Sequence, residues 1–96
     1  MTPSGEVERE DTATGGRYVL RANGAEAELT FTRLSERRVI ADHTAVPDAM
    51  RGQGAGLRLA RRLVADMRAA GVTVVALCPF VKAQARRHPD WRDVIE

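Results

Sequence analysis

The chain has 96 residues, 44% of them hydrophobic and 29% charged, with a formal net charge of +2. That is one globular domain and no more. A single cysteine excludes an internal disulfide framework and a multi-cysteine zinc site. No apolar run approaches the roughly 18 residues of a membrane-spanning helix.

Aromatic residues are scarce, so the core must come from Leu, Val, Ile and Ala around Tyr18, Phe31, Phe80 and Trp91. The basic residues are almost all Arg, with Lys82 the one lysine. Arg suits phosphate through its planar fork. A balance of +2 does not by itself argue for a nucleic-acid partner.

Residues 1–16 hold Glu6, Glu8, Glu10 and Asp11 and end on two glycines, and they read as a mobile acidic tail. Their polar, acidic start lacks the order of a secretory signal, so the cytoplasm is the expected location. Residues 17–96 then form a single domain. Arg17–Arg21 reads as a short strand. Asn23-Gly24 is a strong hairpin signal. Ala25–Thr32 alternates, with Ala25, Ala27, Leu29 and Phe31 on one side and Glu26, Glu28, Thr30 and Thr32 on the other. Leu34–Arg37 turns the chain, and Arg38–Val46 completes an antiparallel meander.

Pro47 ends the third strand. After the loop that follows, Leu59, Leu63 and Met67 form a helical stripe flanked by Ala60, Val64 and Ala70. Gly71 takes the position that closes such a helix. Val72–Cys78 is nearly all apolar and reads as a strand buried on both faces. Strand, helix and strand make a βαβ crossover, so these two strands are expected to be parallel. Pro79 suits the first turn of a short helix, Pro79–Arg87, which His88-Pro89 stops. Trp91, Val94 and Ile95 are expected to fold back as an apolar patch. The class is α+β, with an α/β-like crossover.

The most informative stretch is Met50–Leu57. Gly52, Gly54 and Gly56 lie between a strand and a helix. A helix start leaves N–H groups unpaired and favours negative charge nearby. Here the nearest carboxylate, Asp48, precedes the loop, and Arg51 adds positive charge. The combination suits an anion, most naturally a phosphate. A Walker A ending of Gly-Lys-Ser/Thr is absent, and the Gly-x-Gly-x-Gly spacing fits a dinucleotide fingerprint poorly. A plain glycine-rich connection is the alternative.

Arg51-Gly52-Gln53-Gly54-Ala55-Gly56 does match Q/R-x-x-G-x-G/A, and so resembles the pyrophosphate loop of the GNAT N-acetyltransferases. His43-Thr44-Ala45-Val46-Pro47 before the loop and Leu77-Cys78-Pro79-Phe80-Val81 after the helix narrow the likeness. Together they resemble a subgroup of very short, cysteine-containing GNAT-like proteins, over about Tyr18 to Trp91. The resemblance implies a compact GNAT-type core and acetyl-CoA as acetyl donor. It places the pantetheine arm between the splayed strands, against the backbone of Thr44 and Val46. It places the pyrophosphate on the backbone of Gly52, Gln53, Gly54, Ala55, Gly56 and Leu57, with Arg51 on phosphate. Arg58, Arg61 or Arg62 would reach the 3′-phosphate, unless they form a solvated helix face.

Cys78 ends a strand just before a helix, a position from which a helix start can activate a thiol. Two catalytic roles are open to it: acetyl-accepting nucleophile, or proton donor to the departing CoA thiolate, which most GNATs assign to Tyr. Tyr18, on the first strand, does not fit that role. The third option is that the thiol only packs. His43 lies on the strand beside the groove and is a candidate general base toward an amine or toward Cys78. His88 reads as a helix-stop residue. No metal ligand set has a recognisable spacing.

A typical GNAT is longer, and its extra elements build the acceptor pocket. Here that half is expected to be nearly absent. The acceptor amine would then sit on a large molecule such as a protein, or a second copy of the chain would form the wall. Otherwise the chain is an acyl-CoA-binding or interaction module without turnover.

Overall fold

The computed structural model describes residues 6–22 and 24–96. A five-stranded sheet forms in sequence order from β1 (Glu8–Asp11), β2 (Gly15–Ala22), β3 (Ala25–Ser35), β4 (Arg38–Ala45) and β5 (Thr73–Ala76). The first four strands pair antiparallel, and β4 and β5 pair parallel across the crossover helix α1 (Ala55–Ala70). The second helix, α2 (Pro79–Arg87), packs on β4 and β5.

Alternation decides which face is buried. Tyr18 and Leu20 on β2, Ala27, Leu29 and Phe31 on β3, and Val39 and Ala41 on β4 are all almost completely buried. Val74 and Ala76 continue this face on β5. Against it lies the expected stripe of α1: Leu59, Ala60, Leu63, Val64 and Met67. Burying each large aliphatic side chain contributes about 1.5–3 kcal/mol. Gly71 closes α1 at φ +69°, with its N–H on Arg68 O and the Val72 N–H on Met67 O.

Of the expected tail, residues 1–5 lie outside the described residues, and the structure corrects the rest. Glu8–Asp11 is an edge strand, and Gly15 and Gly16 already belong to β2. The acidic residues there have specific partners across the sheet. Glu10 Oε1 accepts from Arg17 Nε at 2.8 Å, and Glu8 Oε2 from Arg21 Nη1 at 2.6 Å. Of the Asn23-Gly24 turn, Asn23 lies outside the described residues; Gly24 has φ +70°.

A second correction concerns β5. Only Thr73–Ala76 is strand, it lies at the sheet edge, and it is buried on one face. Thr73 and Val75 are half-buried, and Leu77 beyond it is exposed. The apolar run is explained by the edge itself. Ile95 bridges to Val74, and Val74 N–H donates to Val94 O. Trp91, Val94 and Ile95 therefore do fold back into the core.

Candidate acetyl-CoA site

The parallel pairing of β4 and β5 runs from Arg38 opposite Thr73 to Ala41 opposite Ala76 and stops there. Two events split the strands. The register of β3 and β4 shifts between Thr30 and Phe31, so that Thr30 faces His43 while Phe31 faces Ala41. The bulge at Asp42 bends β4. On the other strand, the N–H groups of Leu77 and Cys78 both donate to Ala41 O, at 3.1 and 3.0 Å, which turns the chain into α2. Residues 43–45 of β4 then have, among the described residues, a strand partner on the β3 side alone.

Beside this opening lies a cleft of about 420 Å³. Thr44 and Val46 form one wall, the glycine loop and the first turn of α1 form the floor, and Phe80 and Gln84 of α2 form the other wall. The loop is anchored by Met50, fully buried at the end of a short 3-10 turn over Asp48–Met50. Gly52 and Gly54 take φ +76° and +74°, a backbone region that side chains rarely adopt. A Cβ at Gly54 would meet nothing within 4 Å, so the loop surface is open above it. Gly56 is glycine for a different reason: a Cβ there would come within 2.7 Å of the Phe80 ring.

Gly54 caps α1 without a side-chain hydrogen bond, and no acidic residue stands in the first turn. The first helical bond is from Arg58 N–H to Gly54 O at 3.0 Å. The N–H groups of Ala55, Gly56 and Leu57 thus start the helix without intrahelical acceptors. They lie at the positive end of its dipole. The Oε1 of Gln53 is buried without a partner, while its Nε2 donates to Ala49 O at 3.3 Å. An open glycine cradle, unpaired N–H groups and the absence of a competing carboxylate fit a diphosphate.

Arg51 pairs with Asp48 at 2.9 Å, and both side chains are well exposed. An exposed pair of this kind is weakly held, so Arg51 can turn toward an anion in the cleft. Arg62 is placed elsewhere. Its Nη1 donates to Val7 O at 2.7 Å and its Nε to Asp66 at 3.0 Å. Arg61 is exposed on α1.

Cys78 is 3% exposed and caps α2. Its Sγ lies 3.3 Å from Thr44 Oγ1, and Thr44 lines the cleft. His43 is exposed and pairs in register with Thr30, on the outer face of the sheet. Successive strand residues point to opposite faces. The structure therefore brings Cys78 to Thr44, and it does not bring His43 to Cys78. His88 is held by Gln84 O at 2.8 Å and stacks on Trp91 at a centroid distance of 4.3 Å.

Tyr18 is likewise away from the cleft. Its hydroxyl donates to Asp66 at 2.9 Å. Burial, and then this hydrogen bond, push the phenol well above its usual range. Burial works to raise the Asp66 carboxyl, but hydrogen bonds from Arg62, Tyr18 and Arg9 outweigh it and hold the group below the usual carboxylate range.

Residues 17–94 match the sequence model of the GCN5-related N-acetyl-transferase family. The chain belongs to that family. The solution structure of a GCN5-like protein from Staphylococcus aureus resembles this GNAT domain with a TM-score of 0.71 at 26% identity. That likeness covers 93% of this chain and 87% of the other. No curated protein matches the chain. The GNAT assignment accounts for the meander, the crossover and the split between β4 and β5 together.

Three lining residues of the GNAT cleft were not anticipated: Met50, Phe80 and Gln84. Phe80 and Gln84 stand one helical turn apart after Pro79, and that spacing was a usable signal. Nothing in the sequence marked Met50 as the anchor of the loop.

Proposed function

We propose that the chain binds acetyl-CoA in the cleft beside β4 and transfers the acetyl group to an amine presented by a larger molecule, such as a protein. The observation that carries this reading is the acid-free start of α1 behind an open glycine loop, facing the cleft at the β4–β5 split. Bound there, acetyl-CoA supplies an acetyl group already activated as a thioester.

The chain's own residues do the rest. N–H groups of Gln53, Gly54, Ala55, Gly56 and Leu57 bind the diphosphate, and Arg51 leaves Asp48 to add a charge-assisted bond. The unpaired edge of β4 at Thr44 and Val46 orients the pantetheine arm. Phe80 and Val46 exclude water from the apolar part of the cleft. Thr44 Oγ1 and Cys78 Sγ share one hydrogen bond, so Thr44, which lines the cleft, orients the thiol, the one group of the pair acidic enough to give a proton to a departing thiolate.

A second reading is acyl-CoA binding without transfer. Among the described residues, the cleft lining contains no carboxylate and no imidazole to act as a strong general base. The acceptor must then arrive with its amine deprotonated, or transfer does not occur.

Titration calorimetry with CoA and with dephospho-CoA tests the cofactor site. Saturable binding of CoA is expected, and none would sink the proposal. Intact-mass measurement after incubation with acetyl-CoA tests the thiol. One added acetyl group, lost in Cys78→Ala, assigns Cys78 as the acetyl-accepting nucleophile. Transfer to an amine that survives Cys78→Ala would overturn that role.

A further inference from the structure

A second cleft, of about 320 Å³, lies on the other side of α2. Its floor is apolar, from Ala76 at the end of β5, Ala85 of α2 and Ile95. Its rim carries Lys82, Arg86 and Arg92. All three side chains are exposed, and among the described residues none has a hydrogen bond or ion pair. Lys82 and Arg86 stand one turn apart on α2, an arrangement of like charges that a helix disfavours. The nearby carboxylates do not relieve it. Asp93 is held by two bonds from Arg68, both at 2.7 Å, and Glu96 by Arg38 and Thr73.

We propose that this cleft is a docking site for an acidic polypeptide segment in extended conformation. Residues 82 and 86 are separated by about 6 Å along the helix axis. Alternate residues of an extended strand, which share a face, are about 6.6–6.8 Å apart. Two carboxylates on such a segment meet Lys82 and Arg86 in step, and Arg92 takes a third. The aliphatic stems of Glu side chains cover Ala76, Ala85 and Ile95. A nucleic-acid backbone fits less well, because the apolar floor of Ala76, Ala85 and Ile95 offers phosphates nothing, whereas it can take the aliphatic part of an acidic side chain; Glu96 on the rim is already held by Arg38 and Thr73. The site is separate from the acetyl-CoA cleft, which α2 meets with Phe80 and Gln84.

The test is fluorescence anisotropy of a labelled short peptide of alternating Glu and Ala, titrated with the full chain. Saturable binding that weakens with added salt is expected. The triple variant Lys82→Gln, Arg86→Gln, Arg92→Gln should bind about tenfold more weakly, as for the loss of three partly exposed charge pairs. The control triple Arg33→Gln, Arg37→Gln, Arg61→Gln removes the same charge elsewhere and should leave peptide binding unchanged. Absence of saturable binding overturns the proposal, as does an equal loss in the control. Tighter binding of single-stranded DNA of the same length also overturns it. CoA affinity, measured in parallel, should persist in the first triple; its loss would overturn the assignment of a separate site.

Discussion

On the outer face of the sheet, Arg17 reaches Glu10, Glu26 and Glu28, and Arg21 reaches Glu8, Glu10 and Glu26. Val19, between Glu8 and Glu28 in register, is fully buried beneath this lattice. The loop before α1 is built the opposite way. Its helix start has no acidic residue and no side-chain cap, its two left-handed glycines face open space, and Gln53 Oε1 is buried without a partner. Both regions are rich in polar groups. In the first, the polar groups satisfy one another and the chain gains structure. In the second, Gln53 Oε1 and the N–H groups of the helix start are left unsatisfied by the chain. The contrast separates residues that hold the fold from residues we propose to hold acetyl-CoA, and mutations should fall on one side or the other.

The largest effect is expected in the loop. Gly54→Asp places a carboxylate in the proposed diphosphate cradle. CoA affinity should fall about a hundredfold in calorimetry, from lost space and from repulsion at the helix start. Asp tolerates a left-handed backbone better than most residues, at a cost of about 1–2 kcal/mol. The fold should therefore survive, as seen by circular dichroism. Unchanged CoA affinity would break the comparison at its stronger end.

Next comes Asp66, which holds Tyr18, Arg9 and Arg62 at once and so joins β1 and β2 to α1. Asp66→Ala leaves the buried Tyr18 hydroxyl without its acceptor and should cost about 2 kcal/mol of stability. In a domain of this size that lowers Tm by about 8–16 °C. CoA binding per folded molecule should be retained. The pH dependence follows from the direction of the shift. The Asp66 carboxyl titrates lower folded than unfolded, so its contribution is present above its unfolded pKa, about 3.9. It is lost as pH falls through the folded value. Asp66→Asn should flatten the loss of stability in acid, read by urea titration across that range.

Most of the fold was legible because burial imposes a period. The alternation of Ala27, Leu29 and Phe31 fixed β3, and Leu59, Leu63 and Met67 fixed the face of α1. The strand at Glu8–Asp11 was not legible, because four charged residues in a row carry no burial signal. Their partners, Arg17, Arg21 and Asp66, lie far along the chain or across the sheet. The extent of β5 is hidden in the sequence for a related reason. Val72–Cys78 is apolar whether it is covered by a helix on each face or by Val94 and Ile95 at an edge. The glycine loop was readable from residue types alone. Its walls were not, since Phe80 and Gln84 join it only through the packing of α2 on β4.

The outer lattice offers a smaller effect. Arg17 donates to three carboxylates, but all of these groups lie at the surface, where water and salt screen them. Arg17→Gln should lower Tm measurably at low salt and by much less than Asp66→Ala. At high salt the difference from wild type should vanish. A loss that persists at high salt would mean that the lattice acts through packing over Val19 and not through charge.

The smallest effect is expected at His43, the residue that most separates sequence from geometry. Its neighbours Thr44 and Val46 line the cleft, and a histidine among them suggests a base. The bulge at Asp42 settles which way β4 faces beyond Ala41. Thr44 then pairs with Leu29, on the buried side, and His43 pairs with Thr30, on the outer side. An imidazole there cannot reach Cys78 without reversing the strand. His43→Ala should therefore leave CoA affinity and any acetyl transfer to Cys78 unchanged, while Thr44→Val, which removes the hydroxyl beside Sγ, should alter the transfer rate. If His43→Ala abolished transfer and Thr44→Val did not, the outer face of β4 would be the reactive one, and the boundary between structural and ligand-binding polar groups would have to be redrawn through that strand.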